Sequence, residues 1–355
     1  MISKDDLFQQ WVAEQLELEQ VDLQAVSGDA SFRHYFRVTL PELNPKLEAD
    51  FGKSQTVIAV DSPPEKEKNQ EFLRIARCLV DHGFNAPVIK AVNEKQGFML
   101  LSDLGDRPML PELDTHTVEQ HYAVAMGTLC ALQKQIKPTA LALPHYDHQR
   151  LMDEMALFPG WFIRCHLGCS LHLDQQKGLH DACELLAQSA LAQPQVFVHR
   201  DYHSRNIMLL DNNQQGLIDF QDAVWGPITY DLVSLLRDSY VRWPREKSLV
   251  WAAEYFHQAK AEGLLPEGYQ EKDFLKQFEW MGAQRHLKVV GIFSRLKHRD
   301  DKPVYLDDIP CTYANLLEVC AAYEELAGLH GLLKELARAL VVKTPSAAEL
   351  LEPLI

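Results

Sequence analysis

The chain has 355 residues, 46% of them hydrophobic and 24% charged, with a formal net charge of −15. That size allows one large or two medium domains with ample core. The acidic balance argues against binding nucleic-acid backbones, which need basic surface, and no apolar run approaches the length of a membrane span. The start lacks a signal peptide's charged-then-apolar order, and the seven cysteines are odd in number and scattered. Reduced thiols in a cytoplasm are therefore expected.

In chain order, residues 5–16 have helical spacing, with Leu7, Trp11, Val12 and Leu16 on one face. Residues 27–38 read as strand, turn, strand, with Gly28 early and Phe32, Tyr35, Phe36 and Val38 behind it. Thr56–Asp61 is a strand, which Pro63-Pro64 breaks. A helix over 65–80 follows, with Phe72, Ile75, Ala76 and Leu79 in register and Gly83 as its stop. Strands at 87–92 and 97–101 flank a turn at 93–96, and Ser102-Asp103-Leu104-Gly105 ends the strand pattern. Beyond it the chain reads mostly helical. Thr117 and Gln120 fit a capping box opening a helix over 117–133. An apolar, aromatic stretch over 151–167 is interrupted by Pro159-Gly160, and Cys165, His166 and Cys169 read as a helical face more readily than as a metal set. A helix over 181–191 ends before Pro194.

One stretch organises the second half. Val196-Phe197-Val198 leads into His199-Arg200-Asp201-Tyr202-His203-Ser204-Arg205-Asn206, and Ile207-Met208-Leu209-Leu210 leads out. Leu217-Ile218-Asp219-Phe220-Gln221-Asp222 follows. Phosphoryl transfer asks a protein for positioning and charge neutralisation more than covalent work. Asp201 offers the carboxylate beside an attacking hydroxyl. Asn206 and Asp219 offer an amide and a second carboxylate for Mg²⁺ on the phosphates of ATP. The kinase catalytic loop places an Asn five positions after the Asp of His-Arg-Asp, and here 206 − 201 = 5. Ordinary turn chemistry rarely needs this ordered set.

His199-x-Asp201-x-x-x-x-Asn206 with Asp219 resembles the aminoglycoside phosphotransferase and choline kinase superfamily, relatives of protein kinases. Ser27-Gly28-Asp29-Ala30-Ser31-Phe32-Arg33, residues 219–238 and residues 284–299 resemble the bacterial anomeric sugar kinases of cell-wall recycling, which phosphorylate N-acetylmuramate and N-acetylglucosamine at C1. The resemblance covers nearly the whole chain. It implies an α/β (α+β), protein-kinase-like two-lobe fold: a small strand-rich N-lobe over 1–102 that binds nucleotide, and a larger helical C-lobe over 103–355 with the catalytic loop, metal site and acceptor pocket. It implies a hairpin over the ATP phosphates, with Gly28, Asp29, Ala30, Ser31 and Arg33 as contacts, and adenine against the backbone around Leu101 and Asp103. Asp201 would be the base, Asn206 and Asp219 the Mg²⁺ ligands, and Asp231 a brace for the loop at a helix N-terminus. One departure stands out. The strand lysine that grips the phosphates in kinases is absent, and Ala59, Val60 and Asp61 occupy its place. Arg33 or Lys66 takes that role, or the backbone and Mg²⁺ suffice.

For the acceptor, Gln221, Asp222 and Trp225 follow the metal carboxylate directly. A long helical pattern over 278–297 is cationic in an acidic chain; it is either a solvated face or a site for a carboxylated sugar, with Arg285 and Arg299 as candidates. A helix is expected over 232–240, and the tail over 343–355, with two prolines, reads as loosely held. The expected partners are ATP and a small amino sugar, with no nucleic acid and no membrane; the sequence leaves the oligomeric state open. An aminoglycoside or other small-alcohol kinase, or a nucleotide-binding pseudokinase acting as an interaction module, remain alternatives.

Overall fold

The computed structural model describes residues 3–26, 32–41 and 55–355. The chain forms two compact units, Met1–Pro108 with Asn206–Asp222, and Met109–Arg205 with Ala223–Ile355.

The first unit is built on an antiparallel sheet of β1 (Gln24–Val26), β2 (His34–Thr39), β3 (Thr56–Asp61), β4 (Ile89–Asn93) and β5 (Phe98–Ser102), in the order β1-β2-β3-β5-β4. Alternation along the strands puts Val38, Val57, Ala59, Phe98 and Leu100 on one face. There they pack on Phe8, Val12 and Leu16 of α1 (Lys4–Leu16), which starts with a Ser3–Asp6 capping box. Gly97 precedes β5 with φ 75°, and a Cβ there would lie 1.9 Å from the Ser62 carbonyl oxygen, so only glycine fits. Helix α2 (Asn69–Asp81) starts four residues later than the spacing suggests. The Pro63 carbonyl accepts the N–H groups of both Lys66 and Glu67, so the proline turn runs on before the helix begins. Residues 206–222 add the paired strands β7 (Ile207–Leu209) and β8 (Gln215–Leu217), β6 belonging to the other unit. The Phe220 ring stacks on Phe72 of α2 at 5.2 Å, which anchors the segment carrying Asp219.

In the second unit, α3 (Val118–Gln135), α4 (His148–Met155), α5 (Leu173–Leu191), α6 (Tyr230–Leu236), α7 (Arg245–Ala261), α8 (Glu271–Asp300), α9 (Ile309–Ala321), α10 (Ala327–Lys343) and the short α11 (Ala348–Leu351) surround a small antiparallel pair, β6 (Gln195–Val198) with β9 (Val224–Pro227). Helix α8 runs through the centre, packed against α4, α5, α6, α7 and α9. Its Gly291 lets the backbone at Leu157 come close; a Cβ would meet the Leu157 carbonyl carbon at 2.6 Å.

Several boundaries differ from the sequence reading. Thr117 makes no side-chain cap for α3; Asp114 takes the N–H groups of His116 and Thr117 instead. Pro159 does not break its stretch but opens a π-helical segment, Phe158–Leu167. Helix α5 starts at Leu173, eight residues before the expected 181, and the backbone N–H of His172 finds the Gln175 side chain. Helix α6 ends at Leu236, because Asp238 turns away to serve loop backbone. The C-terminal tail is docked, with Ala347 and Leu351 fully buried. Among the described residues no helix is long and apolar enough to cross a membrane.

Where β5 ends, Asp103 receives a two-pronged contact from Arg37 of β2, at 2.5 and 3.1 Å, and the Gly105 N–H at 2.8 Å. Burial pushes the Asp103 carboxyl up, but Arg37, Thr56 and Gly105 outweigh it and hold it below the usual carboxylate range. A depressed carboxyl contributes stability that is present above the unfolded value near 3.8 and lost as pH falls through the folded one. Asp103→Asn should therefore cost about 1–2 kcal/mol at pH 7, since solvent reaches Arg37. Urea unfolding of both proteins should show that gap narrowing as pH falls below 3.8; a gap that persists in acid would assign it to shape, not charge.

Candidate active site

The polar loop leaves the end of β6 and must turn sharply to present its side chains. Arg200 has φ 78° and Asp219 φ 66°, the left-handed region that costs a non-glycine residue energy. Asp231, in the first turn of α6, answers the exposed backbone. Its carboxylate accepts the His199 N–H at 2.6 Å and the Arg200 N–H at 2.9 Å. Burial pushes this carboxyl up to about 7, while the two N–H donors pull the other way. The brace expected from the resemblance is thus in place. Asp238 accepts both the N–H and the hydroxyl of Ser204, and the Tyr202 hydroxyl donates to the Ala125 carbonyl at 2.8 Å. His199 is fully buried and packs edge-on against Tyr202, as a residue that supports the loop.

Asp201 sits among cations of its own unit. Burial works against its ionisation, but Lys288, His203, Arg285 and Arg200 prevail and hold its carboxyl below the usual range. These cations are themselves organised. Lys288 donates to the Tyr230 hydroxyl at 2.8 Å and lies 3.4 Å from Glu154. Arg285, one turn earlier on α8, reaches the same hydroxyl at 3.5 Å. Glu154 of α4 also pairs with Arg200 and accepts the Tyr146 hydroxyl. Asp201 is therefore ionised at neutral pH and able to accept a proton.

In the other unit, the Asn206 amide donates to Asp219 at 3.4 Å, and the Gln221 amide donates to Asp219 at 2.6 Å. No cluster of three or more His, Cys, Asp or Glu side chains able to hold a metal exists among the described residues. An amide oxygen and a carboxylate suit Mg²⁺, which takes one or two protein carboxylates and fills its octahedron with waters and phosphate oxygens.

The remaining candidates separate. Gly28, Asp29, Ala30 and Ser31 lie outside the described residues. Arg33 is buried; its guanidinium donates to Ser62, pairs with Glu67 at 3.5 Å and lies over the Phe72 ring. Lys66 stands over the Phe32 ring at 4.6 Å. Leu101 is buried within β5, paired with Ile58 and Ile89, and the Asp103 side chain is held by Arg37. Asp222 pairs with Lys68 at 2.6 Å. Trp225 is buried in β9 with its ring against Phe197, so it packs the strand pair and does not reach for a sugar. Helix α8 is not a solvated face at its middle, where Arg285 and Lys288 are buried. Arg299 is exposed in its last turn and pairs with the adjacent Asp300. Fourteen residues of helix place it ~21 Å along the axis from Arg285, so the two cannot read one carboxylate. Cys165 and Cys169 are free thiols, as are all seven cysteines.

Sequence reasoning missed Glu154, Tyr146, Tyr230 and Lys288. The spacing of Arg285 and Lys288, one turn apart inside an apolar pattern, was a signal for the last; nothing local marks Glu154.

The phosphotransferase enzyme family profile matches residues 22–275. An N-acetylmuramate/N-acetylglucosamine kinase of Pseudomonas aeruginosa is 40% identical over 321 residues, 90% of each chain. One of Neisseria meningitidis serogroup B is 40% identical over 89% of this chain and 90% of its own. Among solved structures, an ADP-bound aminoglycoside phosphotransferase aligns with TM-score 0.56 at 14% identity, over 89% of this chain and 99% of its own. A choline kinase from Cryptosporidium parvum aligns with TM-score 0.58 at 13% identity, over 88% and 93%. Those two share the fold, which is the protein-kinase-like one. With the family profile spanning most of its length and two kinases 40% identical across nine-tenths of it, the chain belongs to the phosphotransferase enzyme family.

Proposed function

We propose that this enzyme transfers the γ-phosphoryl group of ATP to the anomeric hydroxyl of N-acetylmuramate, N-acetylglucosamine or both. The observation that carries this reading is the 40% identity, over nine-tenths of the chain, to kinases named for these two sugars. In it, Asp201 orients the acceptor hydroxyl and takes its proton as the new O–P bond forms and ADP leaves. Its cationic surroundings keep it ionised for that task. Asn206 and Asp219 would hold Mg²⁺, which supplies neutralising charge at the phosphates. Gln221, fixed on Asp219, would orient that carboxylate. The segment 28–31 and the backbone near Leu101 and Asp103 would take the nucleotide. Seven free thiols agree with work in the cytoplasm.

A panel of both sugars, an aminoglycoside and choline, each with ATP and Mg²⁺, tests the reading. The expected product is a sugar 1-phosphate, identified by mass and ³¹P NMR. Turnover of the antibiotic or choline without either sugar would replace it with the corresponding alcohol kinase. Asp201→Asn should keep the fold and ATP binding yet lose ~10²–10⁴-fold in kcat, the usual weight of a positioned base. A rate within a few-fold of wild type would remove Asp201 from that role. Asp219→Ala should weaken ATP binding only when Mg²⁺ is present, measured by calorimetry with and without chelator; an unchanged affinity in Mg²⁺ points to other ligands.

A further inference from the structure

The cations near Asp201 are nearly all engaged inside the second unit. Arg200 is paired with Glu154, and Arg285 and Lys288 with the Tyr230 hydroxyl. Arg205 differs from them. It stands on the same loop as Asp201, four residues on, and its side chain is 36% exposed. Its guanidinium lies over the Tyr240 ring, 3.6 Å from the centroid. Its ion-pair partner, Asp308, is 3.7 Å away, beyond hydrogen-bond length, so the planar fork keeps its donors open.

The surroundings look like a seat and not like a spacer. Tyr240 packs edge-on against His203 at 5.3 Å and against Phe293 of α8 at 6.2 Å, and Phe293 stacks on Tyr305 at 5.6 Å. The ring under Arg205 is thereby fixed from the loop and from α8 together. A guanidinium stacked on a fixed ring has lost its rotamer freedom before any ligand arrives, which favours a planar, two-pronged contact with a carboxylate. Asp308 would be its placeholder. Burial pushes the Asp308 carboxyl up to about 6, so Arg205 at its present distance only partly compensates it.

We infer that Arg205, seated over the Tyr240 ring, reads the lactyl carboxylate of N-acetylmuramate and so sets the preference between the two sugars. The inference rests on the proposed function and adds to it a specificity residue on the catalytic loop itself. It moves the carboxylate-reading role away from the buried Arg285 and the distant Arg299. N-acetylglucosamine has no carboxylate, and for it Arg205 stays with Asp308.

The test is kcat/KM for both sugars, and KM for ATP, in wild type, Arg205→Met, Arg205→Lys and Asp308→Asn. Arg205→Met should lose about ten- to a hundred-fold on N-acetylmuramate, the weight of one charge-assisted bond, and less than about threefold on N-acetylglucosamine. Arg205→Lys keeps the charge without the fork and should fall between. Asp308→Asn removes the competing anion and should improve N-acetylmuramate by roughly two- to fivefold. Calorimetric titration of N-acetylmuramate into Arg205→Met gives the same answer without turnover. Equal losses on both sugars, or a raised KM for ATP with the sugar ratio unchanged, overturn the inference and leave the kinase assignment standing. A wild type that phosphorylates neither sugar overturns both.

Discussion

Two backbone N–H groups decide how the loop can be built. At His199 and Arg200 the chain leaves β6 in a buried position, with Arg200 in the left-handed region. Buried N–H groups without partners cost as much as lost hydrogen bonds, and no neighbouring strand supplies carbonyls at this turn. Asp231 supplies both acceptors from one carboxylate, at 2.6 and 2.9 Å. It does so from the first turn of α6, where a negative charge is favoured by the helix's own N–H groups. Burial raises this carboxyl to about 7 even against the two N–H groups that pull it down. With Asp238 fixing Ser204 further along, the segment carrying Asp201 is pinned at both sides by carboxylates from outside it.

The second layer is ionic. Arg200, Arg285 and Lys288 stand with Glu154 and Asp201 in a buried set, in which the Tyr146 hydroxyl donates to Glu154 and the Tyr230 hydroxyl accepts from Arg285 and Lys288. Such a set is poor evidence for stability, because well-packed apolar side chains of the same volume hold a core as well or better. Its value lies in what it does to Asp201. An isolated buried carboxyl would bind a proton near neutrality, whereas this one is held ionised by four neighbouring cations. The cost of burying three basic side chains is intelligible if the carboxylate they surround has to accept a proton from a substrate.

The parts of this arrangement that are local were legible in the sequence. The strands of the first unit follow from alternation, and the octet with Asp219 follows from the order of its residue types. Asp231 came through family resemblance, and its two hydrogen bonds to the loop now give that a physical reason. Glu154 was not legible: its partner Arg200 is 46 residues away, and a glutamate on an amphipathic helix looks like surface. The same blindness affected helix ends. The starts of α3 and α5 were misread because the capping groups, Asp114 and Gln175, both lie outside the assumed boundaries at 117 and 181. Arg285 and Arg299 were grouped because they share a helix, and only its thirty-residue length pulls them apart.

The absent strand lysine has a structural counterpart. Asp61, standing at the end of β3 where the kinase cation is expected, is answered at 2.7 Å by Lys4 from the first turn of α1. Arg33, one of the two cations expected to stand in for that lysine, is turned inward to Ser62, Glu67 and the Phe72 ring. The described part of this unit therefore spends its nearby basic groups on its own carboxylates and aromatic core. A phosphate chain carrying several negative charges still requires compensation. On the proposed function that load falls on the ion held by Asn206 and Asp219. This explains why Asp219 is so firmly placed, in a left-handed backbone conformation, beside the Phe220–Phe72 stack and under the Gln221 amide. On the proposed function, and among the described residues, the compensation of the phosphates therefore rests on the geometry of that carboxylate.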